Sequence, residues 1–449
     1  MAVDFLLKIF AENKSKDAIV WNGNTFNYQW IIDRFHEWLA KIAASGIQPG
    51  SVVVLEGDYS PNAIAAFLAL IQTGCMVVPL TDFARNQKEE WIEVAQGEYS
   101  LVFSDSDEVK LLKHPNVASH ELYGILKKEN HPGLVLFSSG STGKSKAIVH
   151  DLAKLLKKFQ VRRKNFRTLT FLLFDHIGGI DTLFYSLSNG SCIITVKDRS
   201  PQAVCQAIEQ HQVEVLPVSP TFLNLLILSE EYRNYDLSSL KYITYGAEVM
   251  PEATLKRCAE IFPNVILLQK FGITEIGTLR SKSENSQSLW VKIGGEGYQT
   301  RVVNGILQIK AESAMIGYLN APNPFTEDGW FDTGDAVEVK GEYLKILGRK
   351  SEMINVGGEK VYPAEVEGVI QEMENVADVT VYAEKNPLIG NMVCAKVRLL
   401  NEEDRTAFTI RLKNHCRSRL QPYKVPVKVV ITNESQHSER FKKKRNYTI

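Results

Sequence analysis

The chain has 449 residues, in which 52 Lys and Arg balance 52 Asp and Glu, 44% of the residues are hydrophobic and 23% are charged. These proportions exclude a disordered, collagen-like or low-complexity chain, and the length suits one large domain or about two to three smaller ones. A formal net charge of zero gives no general attraction to nucleic acid or to an anionic membrane.

Cysteine usage and the apolar runs predict a cytoplasmic protein without membrane insertion. The six cysteines form no Cys-x-x-Cys pair that would indicate zinc or a redox couple, so reduced thiols are expected. Asp4 and Lys8 interrupt the only apolar stretch of the N-terminus, which is unlike a signal peptide. The longest apolar run, Ala63–Ile71, has about half of the ~20 residues that a membrane-spanning helix needs.

Short apolar runs alternate with segments of helical periodicity over most of the chain. The predicted strands are Ser51–Leu55, Met76–Leu80, Leu134–Phe137, Leu169–Phe174, Cys192–Val196, Val213–Val218, Tyr242–Tyr245 and Val265–Leu268. Predicted helices include Asn62–Ile71 and the segment with Leu152, Leu155, Leu156 and Phe159 at helical spacing. Buried strands separated by helices predict an α/β fold with a mostly parallel sheet covered on both faces.

The pattern changes twice towards the C-terminus. After about Ser288 the runs are short and alternating, at Arg301–Lys310, Ala336–Val339 and Tyr343–Leu347, which predicts a small antiparallel subdomain. After Gly348 come predicted helices at Val366–Met373 and Thr406–Leu420 and predicted strands at Val376–Tyr382 and Met392–Leu399. We therefore expect a large domain over residues 1–348 and a small α+β domain over residues 349–449.

A segment rich in glycine and hydroxyl groups, Phe137–Lys146 (FSSGSTGKSK), follows a predicted strand. Glycines let backbone N–H groups approach phosphate oxygens and lysine neutralises charge, so the segment indicates a phosphate-binding loop or, more simply, a polar surface loop. Gly143-Lys144-Ser145 fits the end of a Walker-A motif, but the first glycine of that motif would fall at Ser138. Ala147–Val149 also predicts a strand where the Walker-A helix should begin.

Further motifs follow in a characteristic order. They are Thr73–Leu80, Tyr245–Glu248 (YGAE), Phe271–Glu275 (FGITE), Gly329–Asp335 (GWFDTGD), Gly348-Arg349 and Gly357–Glu367 (GGEKVYPAEVE). Together with Phe137–Lys146 they resemble the AMP-forming acyl-adenylate superfamily, which includes acyl-CoA synthetases, the adenylation domains of peptide synthetases and firefly luciferase. The resemblance covers essentially the whole chain.

The resemblance implies an enzyme that activates a carboxylic acid with ATP and Mg²⁺. A carboxylate is a poor electrophile until it attacks the α-phosphate and becomes an acyl-adenylate, and cations must offset the repulsion between the two anions. The loop would then hold the β- and γ-phosphates, Thr274 would bond the α-phosphate, and Glu275 would bind Mg²⁺. The nucleotide-binding positions so implied are Ser138, Ser139, Gly140, Ser141, Thr142 (also a Mg²⁺ ligand), Gly143, Lys146, Gly246, Ala247, Glu248, Phe271, Gly272, Asp335 and Arg349.

Simpler roles are available to several of these residues. Thr274 and Glu275 could cap the N-terminus of a helix, where a carboxylate contributes up to ~1 kcal/mol. Asp335, which would accept hydrogen bonds from both ribose hydroxyls, could instead only form a turn. Arg349 could form a surface ion pair of little energetic weight. The complete match from Trp330 to Asp335 favours the nucleotide site.

The C-terminal lysine of the family lies in a Pro-x-Thr-x-x-Gly-Lys-x-x-Arg pattern and bridges the carboxylate and the α-phosphate. Gln436–Arg445 fits that register and places Lys442 at the catalytic position, with Lys443 as its competitor. The proline, threonine and glycine of the pattern are replaced by Gln436, Ser438 and Phe441. A solvated basic tail is the simpler interpretation of this charge run.

Members of the family rotate the small domain between adenylation and thioester formation. The pivot, usually Asp or Lys, aligns with Ser351, and we expect a hinge there because serine can also absorb a change in φ and ψ. After the rotation Gly357 and Gly358 would line a tunnel for the pantetheine arm, or they could form a simple hairpin turn.

The segment Phe174–Gly179 (FDHIGG) resembles the part of acyl-CoA synthetases that places a His or an aromatic side chain at the acyl pocket. The expected pocket residues are His176, Gly178 and Thr244. Thr244 is expected from family position only, as are Ser219, Phe222 and Gly272. Peptide-synthetase domains carry here an Asp that anchors an amino group, whereas Asp175 lies one position too early. We therefore expect a non-amino carboxylic acid, aryl or alkyl.

Taken together, the motifs predict an AMP-forming acid–thiol ligase that delivers the acyl group to CoA. The alternative acceptor is the phosphopantetheine of a carrier protein. A non-catalytic nucleotide-binding module, suggested by the altered C-terminal pattern, and a Walker-type hydrolase are alternatives of other classes. The expected partners are a small carboxylic acid and CoA or a carrier protein, with no nucleic acid, and the expected state is a monomer or a homodimer.

Overall fold

The computed structural model of the chain describes residues 2–138, 145–387, 390–438 and 440–444. Its α-helices within these ranges are α1 (Asp4–Glu12), α2 (Tyr28–Ala44), α3 (Pro61–Thr73), α4 (Lys88–Val94), α5 (Glu121–Glu129), α6 (Leu152–Leu156), α7 (Ile177–Ser188), α8 (Pro201–His211), α9 (Pro220–Ser229), α10 (Glu252–Ile261), α11 (Pro363–Gln371) and α12 (Arg405–Arg417). No helix of these ranges is long and apolar enough to cross a membrane.

The strands of the first half are β1 (Asp17–Trp21), β2 (Asn24–Asn27), β3 (Val52–Glu56), β4 (Met76–Leu80), β5 (Tyr99–Phe103), β6 (Val109–Lys113), β7 (Gly133–Ser138), β8 (Lys146–Asp151), β9 (Thr168–Thr170), β10 (Ile193–Thr195), β11 (Val215–Val218), β12 (Tyr242–Tyr245) and β13 (Ile266–Gln269). Those of the second half are β14 (Gly272–Ile273), β15 (Gly277–Thr278), β16 (Arg280–Ser283), β17 (Trp290–Gly294), β18 (Tyr298–Val303), β19 (Ile306–Ala311), β20 (Gly317–Tyr318), β21 (Phe331–Lys340), β22 (Tyr343–Arg349), β23 (Ile354–Val356), β24 (Glu359–Val361), β25 (Val376–Asn386), β26 (Gly390–Leu399) and β27 (Lys428–Ile431).

Two seven-stranded sheets form the first part of the large domain. One has the order β13-β12-β11-β9-β10-β1-β2 and is parallel except at β2. The other has the order β20-β8-β7-β4-β3-β5-β6, with parallel strands at its centre and antiparallel strands towards its edges. Helices α2, α3 and α7 pack on these sheets, and their buried side chains form an apolar core with those of the strands. The predicted α/β fold with a mostly parallel sheet is confirmed.

Helix α3 shows how the sequence sets this core. Its N-terminus is capped by Ser60, whose hydroxyl accepts the N–H of Ala63 at 3.1 Å, and its C-terminus ends at Gly74 in the left-handed conformation (φ 84°). Every residue of the apolar run Ala63–Ile71 is buried. The run that is too short for a membrane is therefore a helix enclosed by the protein itself.

The later part of the chain forms two further sheets. An antiparallel sheet with the order β16-β17-β22-β21-β19-β18 begins at Arg280, somewhat before the predicted change of pattern near Ser288. A five-stranded sheet of β24, β23, β26, β25 and β27 packs against α11 and α12 around its own apolar core. The chain passes from one sheet to the other between Arg349 and Ile354, a stretch that contains Ser351.

Several predicted elements are shorter than their apolar runs, and two of them show why. The run Leu169–Phe174 is a strand only as far as Thr170, because the chain then turns into the loop that carries Asp175 and His176, although Phe171 and Phe174 stay buried. The helical pattern from Leu152 ends as an α-helix at Leu156 and continues as a single 3₁₀ turn. A buried turn and a buried strand have similar runs of apolar residues in the sequence, so the pattern alone does not show where the strand ends.

Candidate active site

The two ends of the predicted phosphate loop are held together by a β-hairpin. Ser138 at the end of β7 pairs with Lys146 at the start of the antiparallel strand β8. The ammonium nitrogen of Lys146 lies 5.0 Å from the centre of the Tyr318 ring. The remaining predicted loop residues, which are Ser139, Gly140, Ser141, Thr142 and Gly143, lie outside the described residues. Because a strand follows the loop where a Walker-A helix should begin, the Walker-type alternative is wrong.

Thr274 and Glu275 lie in the turn of the short hairpin between β14 and β15. No helix of the described residues begins there, so helix capping does not account for this pair. The hydroxyl of Tyr318 donates to Oε1 of Glu275 at 2.9 Å. His150 donates from Nε2 to the carbonyl oxygen of Thr274 at 2.6 Å, and burial lowers the pKa of His150 to about 4. The turn is thus fixed by two protein donors.

Asp335 and Arg349 face each other across strands β21 and β22. Nε of Arg349 lies 3.4 Å from Oδ1 of Asp335, and Asp335 is only 7% exposed. Burial raises the pKa of Asp335 to about 6, against the opposing charge of Arg349. Since Asp335 is held in a strand and not merely in a turn, its carboxylate is a fixed acceptor at the edge of the site.

Gly246, immediately after β12, lies very close to the backbone of Lys270, which follows the neighbouring strand β13. A Cβ atom there would lie 2.5 Å from the carbonyl oxygen of Lys270, so only glycine fits. The carboxylate of Glu248 has other contacts: Oε2 accepts the hydroxyl of Thr221 at 2.6 Å and Oε1 accepts the N–H of Lys443 at 2.6 Å. The ring of Phe271 is buried in an apolar core. In this conformation Glu248 therefore contacts the C-terminal segment.

The C-terminal segment, residues 436–444, enters the large domain. Arg440 donates to Oδ2 of Asp175 at 2.8 Å, and the hydroxyl of Ser219 donates to the carbonyl oxygen of Phe441 at 2.7 Å. Phe441, which stands where the family pattern has glycine, has φ 51°, and its ring centre lies 5.2 Å from that of Phe171. The described part of this segment is docked, so the alternative of a solvated tail is wrong for it.

Docking separates the two candidate lysines. Nζ of Lys442 lies 3.3 Å from Nε2 of His176. Lys443 points to the small domain, where its Nζ donates to the carbonyl oxygen of Val379 at 2.9 Å and lies 3.5 Å from a carboxylate oxygen of Glu367. Of these two residues, only Lys442 approaches the expected pocket.

The protonation of His176 follows from its contacts. Nδ1 accepts the N–H of Gly178 at 3.1 Å, at the N-terminus of α7, so the neutral ring carries its proton on Nε2, the atom that faces Lys442. Burial, together with the charges of Lys442 and Arg440, holds the pKa of His176 well below its usual range. Burial also lowers the pKa of Lys442.

A cavity of about 440 Å³, which we call the acyl cavity, opens between α7 and the sheet that contains β11 and β12. The predicted pocket residues His176, Gly178 and Thr244 line it, as do Gly246, Ala247 and Gly272. Ser219 and Phe222 do not, because they hold the C-terminal segment. Asp175 does not line it either, since Oδ2 accepts from Thr81 and Arg440.

The predicted hinge and tunnel residues lie on the small-domain side. Ser351 is in an exposed 3₁₀ turn between β22 and β23. Gly357 and Gly358, with φ 59° and 96°, form the exposed turn of the hairpin between β23 and β24. The hairpin alternative thus describes these glycines in the present conformation, and their contact with a thiol arm stays a prediction.

Three residues of the site were not predicted. Tyr318 and Thr221 hold Glu275 and Glu248, and nothing local in the sequence distinguishes either from an ordinary core residue. Lys270 lines the acyl cavity. Its position immediately before the FGITE motif could have predicted it as a site residue, because a charged residue there lies among largely apolar residues.

Fold and site together define an enzyme that joins a nucleotide to an acid. Residues 8–298 match the family described as AMP-binding enzyme, and residues 365–442 match the AMP-binding enzyme C-terminal domain. The chain belongs to the AMP-binding enzyme family. The resemblance stated from the motifs, and with it the class of AMP-forming ligases, is confirmed.

Individual relatives match over nearly the whole chain. An indoleacetate–CoA ligase of Aromatoleum aromaticum is 30% identical over 93% of this chain and 92% of its own length. A D-alanine–D-alanyl carrier protein ligase of Staphylococcus epidermidis is 24% identical over 84% of each chain. The crystal structure of the anthranilate CoA ligase AuaEII with anthranoyl-AMP superposes with a TM-score of 0.82 at 17% identity, covering 96% of this chain and 93% of that one.

Proposed function

We propose that the protein activates a non-amino carboxylic acid as its acyl-adenylate at the expense of ATP, and then transfers the acyl group to the thiol of CoA. The proposal depends on one observation above all. The docked C-terminal segment brings Nζ of Lys442 to 3.3 Å from His176, at the acyl cavity, whereas Lys443 is held by the small domain.

In the first step a carboxylate oxygen attacks the α-phosphorus, the new P–O bond forms, and the bond to pyrophosphate breaks. Lys442 would bridge the two anions. Its amine has a lowered pKa in the absence of substrate, and two incoming anions raise that pKa again, so the cation is present when the repulsion must be offset. The Nε2–H of His176 would donate to the carboxylate and orient it.

The nucleotide would lie between the two hairpins and strand β21. Asp335 would accept both ribose hydroxyls, and Arg349 would add a cation beside the ribose and phosphates. The hydroxyl of Thr274 has no hydrogen-bond partner among the residues that the structure describes, and we assign it to the α-phosphate. The chain from Ser138 to Lys146 would hold the β- and γ-phosphates.

Glu275 is suited to hold Mg²⁺. Its Oε1 accepts from Tyr318, and within the described ranges Oε2 has no partner, so a carboxylate oxygen is free for a hard cation. Bound there, Mg²⁺ neutralises phosphate oxygens. Thr142, the second predicted ligand, lies outside the described residues.

In the second step the thiol sulfur attacks the acyl carbon, the C–S bond forms, AMP leaves with the electrons of the C–O bond, and the thiol loses its proton. We assign the required rotation to the stretch around Ser351, because the chain passes there between two separate sheets. The rotation would bring Gly357 and Gly358 to the thiol arm.

The side chains that line the acyl cavity and the substrates of related enzymes support one class of acid. Aromatic side chains such as Phe166, Tyr185 and Tyr242 line the acyl cavity, and relatives or neighbours act on indoleacetate and anthranilate. Both observations favour an aryl acid. Asp175, the only candidate for an amino-group anchor raised by the sequence, does not line the acyl cavity, and its Oδ2 accepts from Thr81 and Arg440. The alternative of a carrier-protein acceptor is supported by the D-alanyl carrier protein ligase.

A screen of aryl and alkyl carboxylic acids by pyrophosphate release tests the proposal. We expect acid-dependent release with AMP as the second product, and a thioester when CoA is added. Replacing CoA by a holo-carrier protein tests the alternative acceptor. Absence of any carboxylate-dependent ATP–pyrophosphate exchange would instead identify a non-catalytic binding module.

A further inference from the structure

Lys270 is a basic residue in the wall of the acyl cavity. It follows β13, lines the cavity and lies close to Gly246 in the neighbouring strand. In the part of the chain that the structure describes, no acidic oxygen lies within 4.0 Å of its ammonium nitrogen, and no hydrogen bond to its side chain is formed. A cation placed in a protein wall without a partner loses hydration and receives nothing in return.

Lys158, in the same region, shows what a purely structural lysine looks like here. Its Nζ forms an ion pair with Asp181 and donates to the carbonyl oxygen of Thr278 at 2.9 Å. Asp181 is also the acid with the largest influence on Lys270, but its carboxylate is already paired. Lys158 is therefore satisfied by the protein and Lys270 is not.

Further positive charge surrounds Lys270. Arg163 lines the same cavity and forms no side-chain ion pair with the described residues, and the charges of both Arg163 and Lys158 disfavour the ammonium form of Lys270. Burial acts in the same direction, so the pKa of Lys270 is lowered. An anion bound beside Lys270 would favour its ammonium form and so oppose the effects of burial and of the neighbouring cations.

We propose that the acid substrate carries a second, distal carboxylate, and that Lys270, assisted by Arg163 at the open side of the acyl cavity, binds that group. The inference rests on the proposed function, since it requires that the first carboxylate be the one activated beside His176 and Lys442. Aromatic walls and a fixed cation together select a flat acid with a charge at its far end.

The spacing of the two carboxylates follows from helix α7. His176 caps this helix, and Asp181, the acid with the largest electrostatic influence on Lys270, lies five residues further along it. At a rise of 1.5 Å per residue the two positions are about 7.5 Å apart along the helix axis. A para-substituted aryl diacid such as 4-carboxyphenylacetate has roughly this reach, as does a linear diacid of about six or seven carbons.

Isothermal titration calorimetry on the full chain, saturated with a non-hydrolysable ATP analogue, tests the inference. The probes are 4-carboxyphenylacetate, hexanedioate and heptanedioate, each compared with the half-ester in which the distal carboxylate is masked. We expect at least one diacid to bind at least tenfold more tightly than its half-ester. Lys270→Met should reduce that ratio to about one, and Lys270→Arg should retain most of it.

Lys164→Met is the matched control. It removes the same charge from an exposed residue of the same cavity that does not act on Lys270, so the ratio should stay. A ratio near one for every pair in the unmodified protein, or a ratio unchanged in a folded Lys270→Met variant, overturns the inference. Pyrophosphate release with the same diacids, their half-esters and simple monoacids is measured in parallel, because its absence with all of them would count against the proposed function instead.

Discussion

Lys443 donates from Nζ to the carbonyl oxygen of Val379 at 2.9 Å, and this bond crosses from the C-terminal segment to the core sheet of the small domain. Carboxylate oxygens of Glu367 and Asp378 lie 3.5 and 3.8 Å from the same nitrogen, and all three side chains are buried. The side chains of these adjacent lysines therefore point in opposite directions. Lys443 binds residues of the small domain, whereas Lys442 contacts His176 at the acyl cavity.

The two lysines should differ in their effect on folding. Lys443→Met removes a cation that Glu367 and Asp378 share, and breaking a buried pair in this way costs about 3–5 kcal/mol. We expect the free energy of unfolding, measured by denaturant titration, to fall by roughly that amount. Lys442→Met, which removes an ammonium that contacts no carboxylate of the described residues, should leave the free energy of unfolding nearly unchanged. Glu367→Gln added to Lys443→Met should recover part of the loss; equal destabilisation by both lysine variants would contradict this division.

Lys442→Ala should affect only one half-reaction. Loss of the bridging cation should slow adenylation by roughly 100-fold or more, whereas thioester formation from preformed acyl-adenylate should stay largely intact. Pyrophosphate exchange measures the first step, and thioester yield from synthetic acyl-adenylate measures the second. Equal loss in both would show that the assignment of the lysine is wrong.

ATP binding should weaken in acid because of Asp335. Its pKa is raised to about 6, and only the ionised carboxylate accepts both ribose hydroxyls, so KM for ATP should rise as the pH falls below about 6. Asp335→Asn should raise KM roughly 10-fold or more at pH 8 and should flatten the pH profile. The same variant should be more stable than the parent at pH 7, by about 1–3 kcal/mol, since it removes a buried charge. An unchanged KM would reject the ribose assignment.

Phe441 has a left-handed backbone and a partly buried ring, and its replacement separates the effects of the two. Phe441→Gly relieves a left-handed backbone but loses the contacts with Phe171 and Phe222. We expect the second effect to be larger by about 1 kcal/mol, which lowers the adenylation rate roughly fivefold by loosening the docked segment. Phe441→Leu should lose less. Single-turnover adenylation gives the comparison, and a faster reaction in Phe441→Gly would show that strain dominates.

Much of the fold follows from local patterns. Met76–Leu80 and Tyr242–Tyr245 are strands over the predicted residues, because continuous apolar runs bounded by turns leave few alternatives. The family motifs and positions predicted Lys442, His176 and Thr244 as site residues. In the structure His176 and Thr244 line the acyl cavity, and Lys442 contacts His176.

What the sequence leaves open is set by long-range contacts. The choice between Lys442 and Lys443 depends on Val379 and Glu367, which are more than 60 residues away. The replacement of glycine by Phe441 looks unfavourable locally and is explained only by Phe171 and Phe222. Likewise, no sequence feature near Lys270 indicates that its charge has no partner among the described residues.

The burial of His150, next to the turn that carries Thr274, has a consequence for acid tolerance. Native His150 has a pKa of about 4 against 6.5 for an ordinary histidine, so the unfolded chain binds a proton that the native one refuses, and stability is lost as the pH falls from 6.5 to 4. Asp335 acts oppositely: its raised pKa returns stability as the pH falls from about 6 to 3.8. Each contribution is roughly 3 kcal/mol. The contributions of His150 and Asp335 to stability thus compensate each other, and mild acid should impair this enzyme's chemistry before it unfolds the protein.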